Sequence, residues 1–446
     1  MKEKYNGQKK WQTSLHDSLP TSWRFERVKS IASKIGSGIT PRGGAVTYQD
    51  NGIPLLRSQN IHFDGIRLNN VAYITQKTHD MMSNSKVYTG DVLLNITGAS
   101  IGRCSYAHSE IKEANVNQHV CIIRPRNKVV TKYLCYFLSS SLGQEQIFSS
   151  FTGSSREGLS IREIGQFRLI IPLSNEQRAI AAYLDKTCAA IDKAIEAKQK
   201  QLEILDVLRK SIITKAVTKG LDKKARRKDS GHIWIGRIPQ EWKVDKLKYV
   251  TDLIVDGTHF TPDYIEEGVP FLRVTDIQNS QIDQNKVKRI SEEDHRELCK
   301  RANPKAGDIL LSKNGTIGLI KVVEWNWEFS IFVSLCLIRL RKFLSPYFFR
   351  YYFESDVVDQ QLFESSKRTS VTNLHLVKIR EMRIAFPRLD EQKTIVTFLD
   401  NKCAELDKLK GNIQQQISTL EQYRKSLIHE CVTGKRRIAE DDMQDQ

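Results

Sequence analysis

The chain is 446 residues long, and several kinds of chemistry are missing from it. Its eight cysteines are scattered and no C-x-x-C pair occurs, which excludes a zinc-ribbon site and argues against a disulfide framework. A reduced, cytoplasmic chain is therefore expected. Proline is scarce and no two prolines adjoin, so the Asn/Asp-Pro-Pro-aromatic loop with which amino-methyltransferases hold a flipped base is absent. No G-x-x-x-x-G-K-[ST], H-E-x-x-H or G-x-S-x-G occurs. The most apolar stretch, Phe329 to Ile338, is too short for the ~20 residues a bilayer span needs, so no membrane role is expected and the stretch reads as a buried strand. The opening residues MKEKYNGQKKWQTSLHD lack the apolar core of a signal peptide. Intrinsic catalysis is not expected. The E-x-K triplet Glu196-Ala197-Lys198 lies within a helical pattern where a charged surface explains it.

Positive charge, by contrast, is abundant. Lys and Arg number 69 against 52 Asp and Glu, a formal net charge of +17, which points to a polyanionic partner such as nucleic acid. Composition is otherwise that of a globular chain, 40% hydrophobic and 27% charged, long enough for two to four domains of ~100–200 residues.

The chain is also repetitive. LPTSW at Leu19 recurs as IPQEW at Ile238, GIPLLRSQNI at Gly52 as GVPFLRVTDI at Gly268, and GDVLLNITGASIG at Gly90 as GDILLSKNGTIG at Gly307. The strongest pair is PLSNEQRAIAAYLDKTCAAIDK from Pro172 against PRLDEQKTIVTFLDNKCAELDK from Pro387. From Pro172 to Thr218 it aligns without a gap at an offset of 215, with 19 of 47 positions identical. Upstream of each block only short islands align. The order is variable, similar, variable, similar.

The variable parts carry short β-rich runs between Gly, Asn and Pro turns. The similar parts read as helices, with Asn175 or Asp390 as candidate N-cap and Glu176 or Glu391 in the first turn. Beyond that start a heptad seam follows: Leu406, Leu409, Ile413, Gln416, Leu420, Tyr423 and Leu427 in the second copy, and Ile191, Ala194, Lys198, Gln201, Leu205, Leu208 and Ile212 in the first. Gln201 and Gln416 share a seam position, where a polar pair could fix register or merely be tolerated. Cys188 and Cys403, matched across the repeat, read as packed small residues. Trp325 and Trp327 read as core aromatics of a β-hairpin, with base stacking as the other use.

The expected fold is α+β: two α/β, mainly β, target-recognition domains in pseudo-two-fold repeat, joined by two long antiparallel helices forming a coiled-coil spacer. The expected boundaries are 1–171 for the first domain, 172–220 for the central helical region and 221–238 for a basic linker. They continue with 239–386 for the second domain, 387–434 for the distal helical region and 435–446 for a polar tail. The 26-residue seam 191–216 would span about 39 Å, roughly 11–12 base pairs, close to one duplex turn. Two unlike basic modules so held suit two unlike half-sites separated by an unread gap.

This order of modules, with the repeated P-x-x-[ND]-E-Q…I…LD blocks, the two GD[VI]LL…G…IG runs and the paired L/I-P-x-x-W openings, resembles the specificity subunit of a type I restriction-modification system over residues 19 to about 435. The resemblance implies that each domain reads half of an asymmetric, bipartite site on double-stranded DNA and that the helices dock two methyltransferase subunits. S-adenosylmethionine would belong to those subunits, ATP with Mg to restriction/translocase subunits, and no cofactor to this chain. Alternatives are the specificity subunit of a related system that cleaves on both sides of its site, and a coiled-coil scaffold that binds nucleic acid without sequence choice.

Three loop sets supply candidate DNA contacts, since phosphate binding needs Lys, Arg and hydroxyls while base readout needs Arg, Asn, Gln or short polar side chains. The first holds Ser37, Thr40 and Arg42, matched by Thr258, His259 and Thr261. The second holds Ser154, Ser155 and Arg156, matched by Lys367, Arg368 and Thr369. The third holds Arg57, Gln59 and Asn60, matched by Arg273, Thr275 and Asp276; the arginine common to unlike modules reads better as structural or phosphate-binding than as base-reading.

Overall fold

A computed structural model describes residues 19–126, 129–151, 158–278, 281–364 and 374–438. The chain forms two compact units: residues 1–198 with 415–446, and residues 199–414. The division cuts through both long helices rather than falling at their ends, so each unit owns one module and a segment of each helix.

In the first unit, a four-stranded antiparallel sheet takes the order Ala32–Ser37, Val120–Pro125, Val92–Asn95, Cys104–Tyr106. A second sheet has the order Ala72–Ile74, Ile53–Leu56, Ala114–Val116, Lys86–Val87, with Ile53–Leu56 and Ala114–Val116 parallel. Strand Arg24–Arg27 pairs with Arg168–Ile171, the strand that feeds the first long helix. The second unit repeats this plan. Thr251–Asp256, Leu335–Leu340, Ile309–Ser312 and Ile320–Val322 form its four-stranded sheet, and Lys243–Lys246 pairs with Arg383–Phe386 ahead of the second long helix. Its other sheet has three strands, Lys288–Ile290, Val269–Leu272 and Ser330–Ile331, again with a parallel pair.

The repeated motifs are scaffold. Gly90 and Gly307 sit in the left-handed region at φ 90° and 89°. The aspartate that follows each is buried and forks onto an arginine of the neighbouring strand: Asp91 with Arg124 at 2.7 and 2.9 Å, Asp308 with Arg339 at 2.8 and 2.7 Å. Each also accepts a backbone N–H from its own turn, Tyr88 to Asp91 and Lys305 to Asp308, both at 2.8 Å. The E-Q dipeptide has an equally definite task. The Trp23 and Trp242 indoles donate to Glu176 and Glu391 at 3.1 and 3.0 Å. The buried Gln177 accepts from Val130 N and donates to Pro172 O, and Gln392 does the same with Ser345 N and Pro387 O.

The long helices run Ser174–Lys219 and Leu389–Val432. They start one residue ahead of the expected caps, so Asn175 and Asp390 are helical; the Glu176 carboxylate instead reaches back to Leu173 N at 3.0 Å. Each ends at a left-handed glycine, Gly220 (φ 66°) and Gly434 (φ 75°). The helix segments are antiparallel in both units. Asp192 binds Arg424 and Lys198 binds Gln416 in the first; Asp206 binds Lys410 and Asp407 binds Arg209 in the second. The Asp192–Arg424 and Asp407–Arg209 pairs are one contact made twice, related by the offset of 215.

Helix burial is concentrated where the modules pack. Ile180, Leu184, Cys188 and Ile191 meet Leu427, Ile428, Cys431 and Val432 in the core of the first unit. Ile213, Ala216 and Val217 share that of the second with Ile395, Leu399 and Cys403. Elsewhere the seam is open: Leu208, Leu409 and Tyr423 are 43%, 45% and 47% exposed, and Ile204 and Val207 beside it are exposed too. Gln201 is exposed rather than seated in a polar core layer, and Gln416 takes the Lys198 ammonium at 2.6 Å.

The expected basic linker is not a free tether. Arg227–Asp229 and Arg237–Pro239 form a hairpin, and Ile235 and Ile238 are buried in the second unit's core. Trp325 and Trp327 pack half-buried against the core, stacked at 5.1 Å and resting on Phe329, in an irregular segment rather than the expected hairpin.

Candidate nucleic-acid interface

Strand register brings three loops together in each unit. In the first, Ser37 lies opposite Cys121 and Asn95 opposite Val120, so the chain leaving each of the two strands that flank Val120–Pro125 emerges beside the turn that begins that strand. Gly38 N donates to Val120 O at 3.3 Å and Ile96 N to His119 O at 3.0 Å. The tips then join through side chains. Thr40 donates to Gln118, Gln118 Nε2 meets His119 Nε2 at 3.0 Å, and His119 Nδ1 meets Thr97 Oγ1 at 2.6 Å. Thr97 also bridges to Gly158, at the end of the second loop set.

The second unit builds the same junction from different residues. Gly257 N donates to Leu335 O at 3.1 Å, and Lys313 N to Ser334 O at 2.8 Å. Asp256 and Lys313, both buried, form an ion pair at 2.6 Å, and His259 Nε2 lies 3.9 Å from the other Asp256 oxygen.

The glycines of these loops serve the chain's own turns. A Cβ on Gly38 would fall 1.8 Å from Val116 O, and one on Gly257 2.1 Å from Ile331 O. Their smallness lets a loop cross its neighbouring turn.

The sequence-derived residues separate into exposed and internally engaged groups. Thr40, Arg42, His259 and Thr261 are exposed, and Ser37 is half-buried at the strand end. Thr258 is buried, with its hydroxyl closing a turn onto Phe260. Asn60 is 1% exposed and spends its amide on Arg57 N and Arg67 O, while Asp276 caps Arg273 N at 2.7 Å. These two residues therefore hold their turns. Arg57 donates to Asn70 O at 3.2 Å over the Tyr48 ring, Arg273 is drawn towards Asp276, and Gln59 and Thr275 stay exposed. The Ser58 carbonyl accepts from Asn95 at 2.8 Å, which places this third set beside the junction of the first unit. Ser154, Ser155, Arg156, Lys367, Arg368 and Thr369 lie outside the described residues.

Sequence reasoning passed over Thr97, Gln118 and His119 in the first unit and Lys313, Asn314 and Ser334 in the second. The available signal was a polar residue directly bounding a buried run, as in VLLNIT and NQHVCII. Among the described residues no group of His, Cys, Asp or Glu could hold a metal ion, and no helix is long and apolar enough to cross a membrane.

Two β-rich modules that share a scaffold and differ in their loop tips, each closed by helices running antiparallel, define a class of DNA-specificity proteins. The profile of the family described as "Type I restriction modification DNA specificity domain" matches residues 20–205 and 239–419, and the chain belongs to that family. Among its relatives are the specificity subunit of the type I restriction enzyme EcoBI from Escherichia coli, 24% identical over 95% of this chain and 87% of that protein, and the EcoKI specificity subunit from E. coli strain K12, 21% identical over 94% and 90%. The MjaVIII specificity subunit of Methanocaldococcus jannaschii is 25% identical over 79% of this chain and 80% of its own length. Among solved structures, a chain from a study of assembly and conformational transition of the type I R-M system matches with TM-score 0.73 and 16% identity, covering 94% of this chain and 99% of that one. The HsdS subunit from Thermoanaerobacter tengcongensis matches with TM-score 0.53 and 17% identity, covering 94% and 98%.

Proposed function

We propose that this chain is the DNA-recognition subunit of a type I restriction-modification complex, in which each module reads one half of an asymmetric bipartite site. The observation that carries this reading is the three-loop junction: the same register places it in both units, yet its residues differ, a hydrogen-bonded chain of Thr40, Gln118, His119 and Thr97 in one and a buried ion pair in the other. A shared scaffold with unlike tips is the arrangement that unlike half-sites require. The net charge of +17 supplies the sequence-independent attraction to phosphate.

The chain would act without chemistry of its own, delivering two methyltransferase subunits that bring S-adenosylmethionine, and restriction/translocase subunits that bring ATP with Mg. The long helices fit the docking role. Ile204, Val207 and Leu208 recur at i, i+3 and i+4, an exposed apolar stripe suited to a partner helix. The helices would also set the unread gap.

The test is to co-purify the chain with its methyltransferase partner, methylate a random-sequence DNA library with S-adenosylmethionine, and map the modified positions. A two-part motif with an unread gap is expected. Uniform binding to all sequences, with no methyltransferase retained, would defeat the reading in favour of an unspecific basic scaffold.

A further inference from the structure

Strand register makes Asp256 the counterpart of Ser37, since each lies opposite the same strand position, Cys336 and Cys121. Backbone bonds make Lys313 the counterpart of Ile96. Lys313 N donates to Ser334 O and Ile96 N to His119 O; each residue's own carbonyl then accepts an N–H, from Leu374 and Leu159, both at 2.9 Å. The same place in the fold therefore holds Ser37 with Ile96 in one module and an ion pair in the other. That pair is 2.6 Å long, with side chains only 6% and 9% exposed.

A buried ion pair is seldom the most stable filling, because desolvation offsets the attraction and apolar residues often do as well. The first module shows that this scaffold closes without one. What the pair adds is local. Asp256 is the last residue before the loop 257–261, Lys313 the last before 314–316, and the pair ties these two tips together. A second observation concerns the loop tips themselves, although the first module also leaves one buried polar atom, Asn95 Oδ1, unpaired at the end of its strand. Asn314 Oδ1 and Ser334 Oγ are buried in the second module's junction without a hydrogen-bond partner, whereas at the matching positions Thr97 and His119 satisfy each other at 2.6 Å. Unpaired buried polar atoms are costly, and loops completed by a bound base edge leave such atoms open in the free protein.

We propose that the Lys313–Asp256 pair is a positioning element for DNA specificity, holding loops 257–261 and 314–316 in the geometry that reads the second half-site. The inference rests on the recognition role proposed above. Its test uses the full chain with its methyltransferase partner, comparing wild type, Lys313→Arg, and the double variant Asp256→Ser/Lys313→Ile that installs the first module's residues. The readouts are the methylated motif and the unfolding midpoint. The double variant is expected to fold, to keep the first half-site, and to methylate the wild-type site at least about tenfold more slowly, with relaxed or changed bases in the second half-site only. Lys313→Arg, which keeps the pair, is expected to keep the motif. A double variant that methylates the unchanged motif at the wild-type rate overturns the proposal. So does one that unfolds outright, because the pair then serves folding alone. A wild-type complex without any bipartite motif overturns instead the recognition role on which the inference stands.

Discussion

Replacing Gln392 by alanine should destabilise the second unit strongly without any surface being touched. The side chain is fully buried and makes three hydrogen bonds: it accepts from Ser345 N at 2.7 Å and donates to Phe343 O and Pro387 O, each at 2.9 Å. The variant strands one backbone N–H and two carbonyls in the interior. At ~1–3 kcal/mol per orphaned group, less where a carbonyl finds a substitute, the loss is about 3–6 kcal/mol. With a urea slope of ~2–3 kcal/mol/M, the midpoint followed by tryptophan fluorescence should fall by more than about 1 M. Gln392→Glu should do no better, because a carboxylate cannot donate to the two carbonyls and is itself costly to bury. Glu391→Gln keeps the acceptor for Trp242 and should shift the midpoint little. If Gln392→Ala unfolds within about 0.3 M of wild type yet no longer retains the methyltransferase, the dipeptide is a docking element and the packing argument is wrong.

Gly257→Ala should cost at least ~1–3 kcal/mol, read as a lowered urea midpoint, because its Cβ would fall 2.1 Å from Ile331 O; Gly38→Ala should behave alike in the first unit. His429 is held below its ordinary pKa, chiefly by burial and then by Lys435, and its Nδ1 meets Ser141 Oγ at 2.6 Å. The folded state thus binds this proton less readily than the unfolded one, so the histidine's contribution is intact above about pH 6.5 and is lost as pH falls below it. His429→Gln should accordingly flatten the decline in unfolding midpoint between about pH 8 and 5.5. Inserting one heptad into both long helices should lengthen the unread gap of the methylated motif by about three base pairs, from ~10.5 Å of added rise. Burial lifts the Cys121 and Cys431 thiols to about 12, so both should resist alkylation until the protein unfolds.

What could be read in the sequence was the part that repeats. The P-x-x-[ND]-E-Q blocks announced the helices because Trp23–Glu176 and Gln177 recur as Trp242–Glu391 and Gln392, and identical jobs select identical residues. The GD runs were legible for the same reason, in Asp91–Arg124 and Asp308–Arg339. The loop tips resisted. Thr97 with His119, and Asp256 with Lys313, are far apart in sequence and unlike between copies, so neither spacing nor repetition marks them. The third set misled in part because Asn60 has the chemistry of a base reader but sits in a turn that consumes both ends of its amide. The heptad overstated closure of the seam. Periodicity records which face is apolar, not whether another element covers it, and the seam residue Leu208 is left 43% exposed.

The second unit is one continuous stretch, 199–414, while the first is closed by residues 415–446. On the ribosome this imposes an order. The second module can complete its core before residues 415–446 are made, but the earlier-made module must wait for them. Until Leu427, Ile428, Cys431 and Val432 emerge, the core that holds Ile180, Leu184, Cys188 and Ile191 is incomplete. The module made earlier is thus the later of the two to mature. A premature stop within the final helix would strike the fold of the opening module, more than two hundred residues upstream.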